Sequence, residues 1–245
     1  MAKYVIGFFF ITLFFISCKK ETEKFRTDAA TDYYPLQVGK YITYNLDSTV
    51  FIHFGAEDTV IHYQAQDRVD AQITDNLGRP AYRIIHYIRT DSTGEWVPNN
   101  TFEAVPTENS IEYIENNLRY IKLQLPITQD FSWKGNAYID TYSANSDVTY
   151  LDNWDYTYDS IGVPLTINSL TIDSTLKVAE RDETLGQDPS IAGTEYGERN
   201  YSVEKYGKGI GLIYREFLHW EYQGPQSIFP GYSGYGVKLT IIDHN

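Results

Sequence analysis

Across residues 82–89 the side chains alternate: Tyr82, Ile84, His86 and Ile88 are set against Arg83, Ile85, Tyr87 and Arg89. Near the end of the chain Val237, Leu239 and Ile241 alternate in the same way with Lys238, Thr240 and Ile242. A period of two is that of an extended strand, whose successive side chains point to opposite faces. Neither face is cleanly polar, so several strands are predicted to be covered on both sides. The residue types agree, with 22 Tyr, 12 Phe and 4 Trp against a single Met, a mixture that suits pleated surfaces better than helices. Turn signals punctuate the runs at residues 76–80, 93–94, 99–100, 116–117, 162–164 and 224–236. About ten to twelve short strands joined by turns predict an all-β fold, an antiparallel curved sheet forming a barrel, a half-open barrel or a sandwich. No fixed-period repeat is present, which excludes propellers and solenoids.

The N-terminus carries a different message. Lys3 precedes a thirteen-residue apolar run over residues 4–16, followed by Ser17 and the lone cysteine, Cys18. At about 1.5 Å per residue such a run is shorter than the roughly 30 Å hydrocarbon core, so it is read as a cleavable signal segment. A small residue before a cysteine suits lipidation of the Cys18 sulfur and cleavage at its N-terminal side. Phe15 and Ile16 are bulkier than the residues usual at those positions. The expected organisation is a lipoprotein signal peptide over 1–17, a lipidated cysteine and flexible tether over 18–32, and a single β-rich domain over 33–245. With Cys18 acylated, no thiol remains for a disulfide, a metal or nucleophilic chemistry. The net charge of −13 disfavours nucleic acid and anionic headgroups, so the expected membrane attachment rests on acyl chains.

Two further segments carry helix and loop signals. Ile111, Ile114, Leu118, Ile121 and Leu125 recur at helical spacing, yet Asn116 and Asn117 sit where a hairpin turn would place them and Pro126 ends the run. The hairpin is the preferred reading. Residues 140–158 are predicted as a long exposed loop or irregular strand pair, and residues 180–197 as a second mobile loop.

Chemical motifs are sparse. Gly207, Gly209 and Gly211 lead into a strand rather than a helix, so they mark a turn or bulge and not a phosphate cradle. His53, His62, His86, His219 and His244 lack metal-ligand spacing, although His53 and His62 are placed to face each other across a hairpin turning near Ala56. Ser233 lacks the order of a nucleophile elbow. Glu112, Asp155 and Glu221 are strand acids that could meet in space, and Asp152, Asn153 and Asp155 lack an EF-hand pattern. No catalytic residue, metal ligand or cofactor is therefore assigned, and whether the protein is an enzyme stays open, with a non-catalytic role preferred. The aromatic loop over residues 223–236 supplies the candidate ligand or partner contacts, Phe229, Tyr232 and Tyr235, because aromatics in a loop are harder to explain by packing.

Three resemblances add to this reading. Lys20, Glu21 and Glu23 behind Cys18 resemble the surface-export signature of Bacteroidetes lipoproteins, with a solvated charged tether as the alternative. Asp followed by Ser or Thr resembles the O-glycosylation signature of exported Bacteroidetes proteins, with Ser48, Thr59, Ser92, Ser160 and Ser174 as acceptors; Asp-Ser is also ordinary turn chemistry. The stretches Tyr34-Pro35-Leu36-Gln37-Val38-Gly39-Lys40-Tyr41, Arg119-Tyr120-Ile121-Lys122-Leu123, Trp133-Lys134-Gly135-Asn136 and Tyr206-Gly207-Lys208-Gly209-Ile210-Gly211-Leu212-Ile213-Tyr214 resemble an uncharacterised group of Bacteroidetes lipoproteins. That resemblance implies a lipid-anchored outer-membrane protein, on the periplasmic face or the cell surface. The expected function is a binding module for an apolar or glycan ligand on a carrier-like half-open barrel. An accessory subunit of an outer-membrane protein complex is the alternative, and a carbohydrate-active enzyme a third.

Overall fold

The computed structural model describes residues 28–245. After a short helix α1 (Ala30–Tyr33) come twelve strands: β1 (Tyr41–Ile52), β2 (Glu57–Thr74), β3 (Pro80–Arg89), β4 (Val97–Pro106), β5 (Ser110–Glu115), β6 (Leu118–Gln124), β7 (Ser132–Lys134), β8 (Asp155–Ile167), β9 (Leu170–Gly186), β10 (Tyr196–Gly207), β11 (Gly211–Gln223) and β12 (Gly231–His244). They form one antiparallel sheet in the order β6-β5-β4-β3-β2-β1-β12-β11-β10-β9-β8-β7. Two meanders are thus sewn together where the first strand pairs with the last. The fold is all-β, and the sheet is nearly closed into a barrel.

Closure comes from side chains and single bonds rather than from a ladder. The two free edges, β6 and β7, meet where the Ile121 N–H donates to the Gly135 carbonyl at 2.8 Å and the Trp133 indole donates to the Ile121 carbonyl at 2.7 Å. The Tyr158 hydroxyl bridges to the Gln124 carbonyl at 2.8 Å beside them. Trp133, Tyr156 and Tyr158 pack behind this seam with Ile111, Leu123, Leu176 and Val178, which form the largest apolar cluster. A Cβ on Gly135 would lie 2.4 Å from the Tyr156 ring, so that position admits only glycine without a shift.

One end of the barrel is plugged. Tyr33 is fully buried, the Asp32 carbonyl accepts from Gly209 at 2.7 Å, and Lys208 pairs with Asp28 at 2.7 Å. Tyr34 sits between the rings of Tyr113 and Tyr206, with centroids 6.1 and 6.0 Å away. The opposite end carries the β1–β2, β3–β4, β5–β6, β9–β10 and β11–β12 connections and the long segment of residues 135–154.

The hairpin at Asn116 and Asn117 is present, both residues having positive φ (52° and 64°) as a two-residue primed turn requires. The glycines 207, 209 and 211 form the β10–β11 turn, beside a register shift at Lys205/Tyr206. Other expectations need correction. The tether drawn to residue 32 is docked on the barrel from Asp28, because Ala30 and Tyr33 bring apolar surface that the plug buries. Residues 180–186 belong to β9 rather than to a loop: Glu180 is buried, while the residues after it are half-buried or exposed, so their polarity is that of a strand end in contact with water. Residues 231–236 belong to β12, where Gly234 lets the backbone approach His219 closely: a Cβ there would lie 2.2 Å from the His219 carbonyl oxygen. Residues 140–154 do form a long connection, but it is anchored by the buried Leu151 and Trp154. His53 and His62 do not face each other. His62 stands opposite Asp47, and its Nδ1 lies 2.7 Å from the Asp47 carboxylate, whereas His53 lies in the turn near Glu57.

Candidate functional site

Charges inside a β-barrel need partners, because desolvating an unpaired charge costs several kcal/mol. Here they find one another. Lys122 Nζ on β6 lies 2.8 Å from Glu204 on β10 and 3.2 Å from Glu180 on β9, and all three side chains are at most 5% exposed. Arg215 on β11 pairs through Nη1 with Glu115 on β5 at 2.8 Å, and its Nε stands 3.7 Å from Glu204. The remaining carboxylate oxygens are also used: Ser202 donates to Glu180 at 2.5 Å, and the Tyr206 hydroxyl donates to Glu204.

Bulges supply two of these five residues. The β10–β9 register steps from Ser202↔Arg181 to Val203↔Ala179, leaving Glu180 as the extra residue. The β5–β6 register steps from Ile111↔Leu123 to Glu112↔Ile121, leaving Lys122. A bulge re-aims a side chain that plain alternation would place elsewhere.

The cluster has uneven electrostatics. Burial and the neighbouring Glu204 push the Glu180 carboxyl up to about 7, a rise that Lys122 and Ser202 only partly offset. Burial also acts on Glu204, but Lys122 and Arg215 outweigh it and hold that carboxyl below its ordinary value. Burial alone would depress Lys122; the two carboxylates overcome it and raise its pKa. The Arg215 guanidinium is likewise held well above its ordinary value, the carboxylates of Glu115 and Glu204 overriding desolvation.

This charged waist separates two concavities. The smaller, about 310 Å³, runs from Tyr34 and Tyr206 past Phe102 and Tyr113 to Asn99 and is bordered by Asp67 and His86. The larger, about 550 Å³, is walled by Tyr120, Tyr150, Trp154, Tyr156, Phe217 and Tyr235 and reaches the surface at Asn116 and Asp147. Glu115, Lys122, Arg215 and Val237 line both. His86 Nδ1 lies 2.6 Å from the Asp67 carboxylate; burial lowers its pKa, but the Asp67 contact and charge prevail and raise it. The volumes fall in the range of small-ligand sites, whose walls are mostly apolar with a few convergent polar groups.

The predicted contact residues are split by this geometry. Tyr235 joins the larger concavity, its ring stacked on Phe217 at 5.2 Å and its hydroxyl 3.4 Å from that of Tyr150. Tyr232 stacks on Phe51 at 5.4 Å and contacts Trp220 and Tyr222, so it packs with a different aromatic group. Phe229 is exposed in the β11–β12 turn. Among the candidate acceptors Ser92 is exposed in a turn, Ser48 lines the smaller concavity, Ser174 lies 3.4 Å from the Tyr33 hydroxyl, and Thr59 and Ser160 are half-buried in strands. Cys18 and the residues Lys20, Glu21 and Glu23 lie outside the described residues.

The strand acids do not assemble. Glu112 is clamped by Arg79 and Arg119, Asp155 pairs with Lys134, and Glu221 stands opposite Glu198. None of the five waist residues is marked as a site by sequence reasoning, although Lys122 falls in one of the family-like stretches, and the available signal is weak: one lysine, one arginine and three glutamates inside otherwise β-rich runs.

No family model matches the sequence, and no curated protein does. Among solved structures the chain is similar to a Bacteroides fragilis protein described as exported and of YmcC-like fold, with 11% identity, 85% of this chain and 98% of that one covered, and a TM-score of 0.38. It is also similar to a Parabacteroides distasonis protein described as a lipoprotein, with 13% identity, 89% and 100% covered, and a TM-score of 0.31. At those values neither likeness transfers a role to this chain.

Proposed function

We propose that this protein is a lipid-anchored envelope protein of the outer membrane, acylated at Cys18, whose barrel interior binds a small apolar or glycan ligand without transforming it. The observation that carries this reading is the pair of concavities meeting at a buried charged waist and reaching the surface away from the plug. The four sequence motifs support membership of the uncharacterised Bacteroidetes lipoprotein group. Nine residues lie between Cys18 and Asp28, a reach of at most about 35 Å, so the anchor enters at the plugged end and holds that end within this distance of the bilayer. The anchor carries two or more acyl chains, palmitate among them, since a single chain binds only marginally.

The test is native mass spectrometry of the protein purified from its own outer membrane in mild detergent. A discrete mass retained beyond the Cys18 acyl chains is expected, and a protein of bare acylated mass sinks the binding role. The same spectra check glycosylation, for which Ser92 is the most accessible acceptor.

One observation favours the accessory-subunit reading as a second possibility: Phe54, Ile228 and Phe229 stand 103%, 88% and 82% exposed on two neighbouring turns at the open end. Their partner would be an envelope protein with an apolar surface. Photo-cross-linkers at positions 54 and 229 should then capture one reproducible neighbour.

A further inference from the structure

Arg215 is the least satisfied charge in the interior. A guanidinium offers five N–H donors, yet its hydrogen bond here runs from Nη1 to Glu115, and its buried Nε–H has no hydrogen-bond partner among the described residues. The 3.7 Å separation from Glu204 leaves attraction without a hydrogen bond. A buried donor left in this state costs about 1–3 kcal/mol, so a native protein that retains one invites a physical explanation. Arg215 also lines both concavities, and its Nη2 donors, which make no hydrogen bond among the described residues and are not enclosed as Nε is, are the ones an incoming molecule meets at the waist.

We infer that Arg215 anchors the ligand of the larger concavity, and that this ligand is a neutral, hydroxyl-bearing ring compound, a glycan of about one to three sugars. The inference rests on the reading of the barrel interior as a ligand site. Charge selects against an acid. Lys122 and Arg215 are already matched by Glu204 and Glu115, with Glu180 as a further carboxyl, so an added anion would meet uncompensated carboxylates. A purely apolar guest is disfavoured for the opposite reason, since it would seal the waist from water and give Arg215 no acceptor. A sugar avoids both costs. Its ring oxygens and hydroxyls accept from the guanidinium and donate to carboxylates, and its flat apolar faces suit aromatic walls such as Phe217 and Tyr235, which already stack at 5.2 Å. The Tyr150 and Tyr235 hydroxyls, 3.4 Å apart, place a second polar pair on that wall. The larger concavity, about 550 Å³, falls in the range of small-ligand sites.

The test uses full-length acylated protein in a detergent that contains no sugar. Cellobiose, maltose and N,N′-diacetylchitobiose are compared with cyclohexanecarboxylate, an apolar acid of similar ring size, by saturation-transfer NMR and calorimetry. At least one disaccharide should bind, and Arg215→Lys, which keeps the charge but loses the fork, should weaken it at least tenfold while the melting profile is retained. Tyr235→Ala should weaken it comparably and serves if Arg215→Lys fails to fold; His62→Ala, remote from the cavities, should not. Binding of cyclohexanecarboxylate alone, or disaccharide binding indifferent to both Arg215→Lys and Tyr235→Ala, overturns the inference. Silent titrations beside a non-sugar mass in the native spectrum overturn it too, but leave the binding role standing. Silent titrations together with a bare acylated mass remove both.

Discussion

The two ends of the barrel are built by opposite rules. At the plugged end a tyrosine with no exposed surface, Tyr33, is locked in by backbone and ion-pair contacts, and residues 34–40 lead on into β1. At the open end Phe54, Ile228 and Phe229 project into solvent, and Tyr142 within the long connection is 82% exposed. Aromatics therefore serve only as filler at the plugged end, whereas the open end has both, with Trp154 buried under the long connection and the turn-tip rings free. Between them lies a waist of buried charge that belongs to neither regime. The contrast teaches that stability is concentrated in the plug, seam, waist and the buried anchors of the long connection, whereas the turn tips of the open end are released from that duty and are free to bind.

The sharpest way to break this comparison is at the waist. Lys122→Met removes the cation that faces both Glu180 and Glu204, and stranding buried carboxylates should cost about 3–5 kcal/mol in urea unfolding at pH 7. Lys134→Ala, which removes an exposed partner of Asp155, should cost under about 1 kcal/mol in the same assay. Equal losses would mean that the interior charges are hydrated and the waist is not a structural unit. Next in size is Tyr33→Ala, which empties the plug and should cost about 3 kcal/mol by the same measurement.

Much of this architecture can be read from the sequence, and the failures have a common cause. Alternation in β3 and β12 reflects two-sided strands, and Asn116-Asn117 declares its turn because asparagine tolerates positive φ. Lys122 and Glu180 could not be placed in this way. Each is the extra residue of a bulge, so the rule that assigns faces by parity breaks where the site is made. Polarity misled in the same region, since residues 180–186 look like loop although they form the solvent-exposed end of a strand, with Glu180 alone turned to the charged interior. Glycine misled at Gly234, where the signal for a turn was in fact a signal for close backbone approach. Tyr235 could be picked out as an aromatic in a glycine-rich stretch, and it lines the larger concavity; Arg215, which lines it too, could not, because an arginine in a strand usually marks a solvated face.

Glu180 allows the waist to be tuned rather than broken. Its folded pKa of about 7 exceeds the ordinary glutamate value of 4.5, so the folded state holds the proton more tightly than the unfolded chain. Its contribution therefore favours folding at low pH, declines as pH rises from 4.5 to 7, and stays unfavourable above that window. Glu204 acts with the opposite sign and only below 4.5, where protonating a carboxyl of depressed pKa removes stability. Glu180→Gln should consequently match the parent at pH 5 and exceed it at pH 8 by on the order of 2 kcal/mol. A gain that is the same at both pH values would show that Glu180 does not titrate in this range.

The smallest expected effect is at Phe54, and its smallness is what makes it informative. The side chain is fully exposed and its backbone adopts φ 58°, a left-handed conformation that suits glycine better than phenylalanine. Nothing in its packing explains a phenylalanine there. Phe54→Ala should change stability by no more than about 0.5 kcal/mol, and Phe54→Gly should be neutral or slightly stabilising. If the open end is a working surface, the same alanine variant, paired with Phe229→Ala, should abolish cross-linking from a probe at position 228 while leaving the melting curve in place. A loss above about 1 kcal/mol would instead show that Phe54 holds the β1–β2 tip against the β11–β12 turn, and the division between a structural end and a free end would fail at its most exposed residue.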